Sequence, residues 1–229
     1  MLPTFILMLA TQWYVSSAYN RWSREPNSSR LTGAETLQRM IERVAYSGLS
    51  VESAGEIRSL RLEMIGGNLT DHYDPRTKTI RLSPAVANNP SVASIAIVAH
   101  EFGHALQDSE DYFPLRLRAA MVPAVQIGSW LGWLLIFAGL ILGLTGLAWI
   151  GVLVFSTGAV FALLTLPVEL DASARARRLL TESGIITTEN EQRGVNHVLN
   201  AAALTYVAAL ITAVLQLLYF VSLVSGRRR

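Results

Sequence analysis

Polar and apolar positions divide this chain into long blocks. Three stretches carry no charged residue: 1–20, 119–168 and 198–226. A hydrocarbon core of about 30 Å takes about 20 apolar residues as a helix, so the first and third stretches each fit one crossing. The second is long enough for two crossings joined by a tight turn at Leu144-Thr145-Gly146. Four transmembrane helices are therefore predicted. The first has no basic stretch before it and no clean small-residue cleavage site after it, so it is expected to persist as an anchor rather than to be a signal peptide.

The polar segment between the first two apolar blocks changes its period along its length. Thr32-x-x-Glu35 reads as a capping box. Leu37, Met40, Ile41 and Val44 follow at helical spacing, with Gly48 as the stop. Leu69 to Tyr73, a turn at Asp74-Pro75-Arg76, then Thr77 to Leu82 predict a β-hairpin. Ser83-Pro84 and Asn89-Pro90-Ser91 each open a helix. In the second of these Val92, Ile95, Ala96, Ala99, Phe102 and Leu106 form one apolar stripe. The predicted organisation is a transmembrane helix over 1–20, an α+β domain over 21–118, a transmembrane hairpin over 119–168, a helical segment over 169–197 and a last transmembrane helix over 198–226.

Composition supports a lipid environment. Of 229 residues, 51% are hydrophobic and only 16% charged, against about 25% charged in soluble domains. The chain has no cysteine, which excludes disulfides, thiolate metal sites and cysteine nucleophiles. A net charge of +2 is no footprint for nucleic acid. Its placement says more than its size. Arg21, Arg24, Arg30, Arg116, Arg118, Arg175, Arg177, Arg178 and Arg193 all fall on one side of a four-crossing topology, opposed only by Arg227, Arg228 and Arg229. The positive-inside rule then puts the polar segment in the cytoplasm.

The predicted helix after Ser91 contains His100-Glu101-Phe102-Gly103-His104. Two histidines four apart on a helix share a face and can grip one zinc ion, while Glu101 can act as general base. Gly103 inside a helix costs about 1 kcal/mol against alanine, which implies a close neighbour there. A hydrolytic zinc takes a third protein ligand and leaves one position open. Glu169, where the third apolar helix is expected to emerge, is the favoured candidate and Asp171 its rival. His72 and Tyr206 are candidates for stabilising a transition-state oxyanion. His197 reads as an interfacial residue, Asn200 as a bond between helices, and the tryptophans as interface anchors or lipid-facing packing.

Leu69-Thr-Asp-His-Tyr-Asp-Pro-Arg, Leu82-Ser-Pro, His100-Glu-x-Gly-His-Ala-Leu-Gln107, Leu166-Pro-Val-Glu169 and Leu199-Asn-Ala-Ala-Ala-Leu-Thr-Tyr206 together resemble the bacterial YugP-type neutral zinc metallopeptidases. A more distant similarity runs to HtpX-like membrane proteases and CAAX prenyl proteases. The resemblance implies a predominantly α, gluzincin-like α+β zinc-metallopeptidase domain integrated with a four-helix transmembrane bundle. It implies one Zn2+ per chain held by His100, His104 and Glu169, with Glu101 as general base. One position departs from the pattern: an Asp often stands four residues after the ligand Glu in gluzincins, and here it is Ser173.

The resulting expectation is a multi-pass protein of the bacterial inner membrane that hydrolyses peptide or membrane-protein substrates at the cytoplasmic face. A substrate strand is expected to align along the Thr77–Leu82 edge. The competing expectation is a zinc-binding membrane scaffold without activity. Against it stands Glu101, a carboxylate that contributes no metal bond.

Overall fold

A computed structural model describes residues 2–44 and 50–226. Its elements are α1 (Leu2–Trp22), α2 (Gly33–Val44), α3 (Val51–Arg58), β1 (Arg61–Met64), β2 (His72–Asp74), β3 (Thr79–Leu82), α4 (Pro84–Ala87), α5 (Val92–Ser109), α6 (Phe113–Ile141), α7 (Thr145–Glu182) and α8 (Glu189–Gly226). The chain divides into two compact units. The first comprises Met1–Thr11, Phe113–Val168 and Leu204–Arg229, and the second Gln12–Tyr112 and Glu169–Ala203.

The second unit is a mixed α/β body built on α5. The predicted capping box opens α2: the Thr32 amide donates to Glu35 Oε2 at 2.8 Å, and the Glu35 amide donates to Thr32 Oγ1 at 3.3 Å. Ser91 caps α5 by accepting from the Ser94 amide at 3.2 Å. The expected stripe on α5 is buried, but so are Ala93, Val98 and Ala105 on its other faces. Elements wrap this helix on all sides: Leu37 and Met40 from α2, Ile57 from α3, Ile80 and Leu82 from β3, Leu180 from α7 and Leu199 from α8 share its core. The predicted helix stop at Gly48 lies outside the described residues.

The hairpin is there, with β2 antiparallel to β3 in the register His72↔Arg81 and Asp74↔Thr79. The side chain of Asp74 organises its turn by accepting from the Arg76 amide and the Thr77 hydroxyl, both at 3.0 Å. A third strand corrects the picture. β1 pairs in parallel with β3, so the order is β1-β3-β2 and both edges of β3 are taken. No substrate strand can align along Thr77–Leu82. Leu60-Arg61-Leu62-Glu63-Met64 alternates apolar and polar residues, yet β1 is exposed along its whole length and buries neither face.

The first unit is helical. Among the described residues three helices are long and apolar enough to cross a membrane, α6, α7 and α8. The fourth expected crossing, 1–20, is a helix but is not among them. Gln12, Ser16, Ser17 and Asn20 interrupt its second half, and Ala18 and Trp22 are buried. The expected hairpin is formed by α6 and α7, with its turn at residues 142–144, slightly earlier than predicted, where Gly143 takes a φ of +70°. Helix α8 begins nine residues before the predicted span, and α7 runs 14 residues past its own apolar stretch. The segment 169–197 is thus the end of one long helix and the start of the next. Within the hairpin, backbones touch: a Cβ on Gly139 would lie 2.4 Å from the Ala148 nitrogen. Arg227–Arg229, the basic residues that opposed the orientation, lie outside the described residues.

Candidate metal centre

All three proposed ligands belong to the second unit. His100 and His104 stand one helical turn apart on α5, their ring centroids 4.8 Å apart and their planes at 81°. Glu169 comes from α7 and is almost fully buried. Its Oε2 lies 3.1 Å from His100 Nε2 and 3.4 Å from His104 Nε2. Around a tetrahedral zinc with bonds of about 2.0–2.1 Å, neighbouring ligand atoms stand roughly 3.3–3.4 Å apart. The donor set therefore fits a zinc ion in type and number, and both distances from Glu169 match this spacing. Among the described residues, His100, His104 and Glu169 form a group able to hold a metal ion. Asp171, the rival ligand, is not in that group.

Gly103 explains how α7 comes so near. A Cβ built on it would lie 2.6 Å from the Ala172 carbonyl oxygen, so only glycine lets the two helices meet at this level. The close neighbour implied by a helical glycine is the backbone of α7.

The Nδ1 atoms of both rings face away from Glu169 toward other partners. His100 Nδ1 is 3.2 Å from Ser173 Oγ, so the residue four positions after Glu169 supports this ring. His104 Nδ1 is 2.9 Å from Gln107 Oε1. Gln107 donates in turn to Asp171 Oδ2 at 2.8 Å, and Arg175 Nε donates to the same oxygen at 2.6 Å. Gln107, Asp171 and Ser173 were not singled out for these roles in the sequence. Only the four-residue spacing of Ser173 from Glu169 hinted at one.

Glu101 is buried and accepts from the Tyr73 amide at 2.9 Å. Burial pushes its carboxyl above the ordinary value, and the neighbouring imidazole charges only partly offset this. For His104 burial acts downward, but the Glu169 hydrogen bond and the charges of Glu101 and Glu169 lift it above its usual value. The strand bearing Tyr73 is itself anchored: its hydroxyl donates to Asp108 Oδ2 at 2.7 Å, and Lys78, the chain's one lysine, bridges Asp108 and Glu56.

The remaining candidates fall as follows. His72 precedes Tyr73 on β2, and its Nδ1 lies 2.8 Å from the Thr70 carbonyl oxygen. Tyr206 sits half-buried on α8, in the first unit. His197 is half-buried, and its Nδ1 accepts from Trp22 Nε1 at 2.9 Å. Trp22 is accordingly a core residue of the second unit and not a membrane anchor. Asn200 does bond between helices, accepting from Arg177 Nη2 at 2.6 Å.

A family model described as "Putative neutral zinc metallopeptidase" matches residues 1–225. The chain is 41% identical over 217 residues to "Putative membrane protease YugP" of Bacillus subtilis (strain 168), covering 94% of this chain and 91% of the relative. No solved structure matches it. With a His-His-Glu group at zinc-ligand spacing and a family match over almost its whole length, the chain belongs to this family of neutral zinc metallopeptidases.

Proposed function

We propose that this protein is a membrane-anchored zinc endopeptidase with its active site at the cytoplasmic face. The observation that carries the reading is the convergence of His100 Nε2, His104 Nε2 and Glu169 Oε2, with a buried carboxylate one residue along α5. His100, His104 and Glu169 hold the metal. When bound, zinc lowers the pKa of a coordinated water to about 7 and polarises the scissile carbonyl.

Glu101 takes the proton of the attacking water and returns it to the leaving amine. Its burial suits the task, since a base works best with a pKa drawn toward neutrality. The Tyr73 amide keeps the carboxylate aimed by holding Oε2 and leaving Oε1 for the proton. Ser173 and Gln107 keep both rings turned with Nε2 toward the metal.

The α6–α7 hairpin returns the chain to the side it left, so residues 12–112 and 169–203 share one face of the bilayer whether or not α1 crosses. The nine arginines that flank the apolar stretches on that side favour the cytoplasm of a bacterial cell. The substrates are peptides or membrane proteins.

Zinc analysis and casein hydrolysis by detergent-purified protein test the reading. Wild type and Glu101→Gln are expected to carry one zinc per chain, with hydrolysis reduced about 10²–10⁴-fold in the variant. Glu169→Ala is expected to lose zinc. Hydrolysis at the wild-type rate by Glu101→Gln removes the general base, and unchanged zinc in Glu169→Ala removes the third ligand. A zinc-loaded wild type without hydrolytic activity on casein or membrane-protein substrates would instead favour the scaffold.

A further inference from the structure

Resting on the zinc-centre reading, we infer that Gln107 is a positioning residue for the metal: it sets the tautomer of His104, and the Asp171–Arg175 ion pair sets Gln107.

An imidazole binds zinc through a nitrogen that carries no proton, so the proton of neutral His104 must stay on Nδ1 for Nε2 to serve. The partner of Nδ1 decides this. An amide is ambiguous, since its oxygen accepts and its nitrogen donates. With the oxygen facing Nδ1, as here at 2.9 Å, the ring keeps its proton there and Nε2 offers a lone pair. With the amide reversed, its NH2 would donate to Nδ1 and drive the proton onto Nε2, closing the metal position.

Asp171 removes the ambiguity. An ionised carboxylate only accepts, so the NH2 end of Gln107 is the end that faces it, at 2.8 Å. Arg175 holds Asp171 in place by donating its Nε to that oxygen at 2.6 Å, while its Nη1 is tied to Glu110 at 2.7 Å. Gln107 is fully buried, so no bulk water competes for either end. A charged pair on the last turns of α7 thus fixes a proton on a ring of α5 through one neutral side chain. The same helix supplies Glu169, and therefore brings both the ligand and the device that readies its neighbour.

The chain of donors and acceptors makes a specific rescue possible. A carboxylate at position 107 can accept from Nδ1, but it would meet Asp171 as a like charge. Changing Asp171 to asparagine at the same time lets the new amide donate to position 107 and accept from Arg175. Zinc affinity, measured by chelator competition on the full-length detergent-purified chain, reads this directly. The Co(II) absorption spectrum provides a second readout that needs no turnover.

Gln107→Leu is expected to weaken zinc binding about 10–100-fold, the usual effect of losing an outer-shell partner, without lowering the melting temperature of the metal-free protein. Asp171→Asn frees the amide to turn and is expected to weaken binding less. The double variant Gln107→Glu/Asp171→Asn is expected to bind more tightly than Asp171→Asn, with the wild-type Co(II) spectrum. Wild-type affinity in both single variants, or a double variant no tighter than Asp171→Asn, overturns the inference. The second comparison decides the matter even if Gln107→Leu does not fold. His104→Ala separates the two levels: if it binds zinc as tightly as wild type, the zinc-centre reading fails, whereas the inference alone fails if His104→Ala loses zinc and Gln107→Leu does not.

Discussion

The two units of this molecule are both mostly helical, yet they use side-chain size in opposite ways. Around α5, large aliphatic residues such as Ile80, Ile95 and Leu180 are fully buried. In the α6–α7–α8 unit only a small cluster around Ile136 and Phe220 is buried and many large residues point outward, with Ile141 81% and Leu153 71% exposed, while glycines line the contact between α6 and α7. In water, burying apolar area drives helices together. In lipid that drive is absent between helices, and close backbone approach over small residues takes its place. Exposure of a large aliphatic side chain is thus a defect in one unit and common in the other. The contrast teaches that Glu169 stands where one long helix passes from the lipid-style unit to the water-style one, and the site is built on the water-style side, where a rigid core can hold it.

The strongest way to break this comparison is to truncate a leucine in each unit. Leu180→Ala is expected to cost about 2–5 kcal/mol of stability, as deletions in packed cores do. Leu153→Ala is expected to cost less than about 0.5 kcal/mol. Thermal or denaturant unfolding in detergent measures both, and equal losses would mean that protein rather than lipid covers Leu153.

Glycines sharpen the point at smaller amplitude. Gly103→Ala pushes a methyl group into the Ala172 carbonyl and is expected to cost about 1–3 kcal/mol, and to lower zinc occupancy because α7 carries Glu169. Gly146→Ala, where a Cβ meets nothing within 4 Å, is the control and should leave both unchanged. Ser91→Ala is expected to cost about 1 kcal/mol for the lost cap of α5, visible as a lower melting temperature with zinc stoichiometry intact.

Legibility followed the range of the interactions. The capping box at Thr32 and Glu35, the helix start at Asn89-Pro90-Ser91, the turn at Asp74 and the shared face of His100 and His104 are written within a few residues of one another, and each stands as read. Strand β1 was not predicted although Leu60-Arg61-Leu62-Glu63-Met64 alternates, because the run is short, neither face of it is buried, and its parallel partner β3 is the far strand of the hairpin. The exposed edge once expected at Thr77–Leu82 vanished for the same reason. Helix α1 looked like a crossing because it carries no charge, but its uncharged polar residues set it apart from the three apolar helices. Trp22 and His197 are 175 residues apart in the chain, and nothing near either of them announces their bond.

What the sequence determined by itself is the chemistry available: two imidazoles one turn apart with a carboxylate between them, no thiols, and enough apolar length to cross a membrane. Helical periodicity and hydrophobic length are local properties, so they survive without a fold. Only the tertiary structure decided which distant oxygen meets those imidazoles and which groups hold their protons. That choice depended on a single missing side chain at Gly103, which lets α7 lie against α5, and on the 200° that separates Glu169 from Asp171 around one helix. One carboxylate faces the rings and the other faces their support, a division that spacing permits but only packing can make.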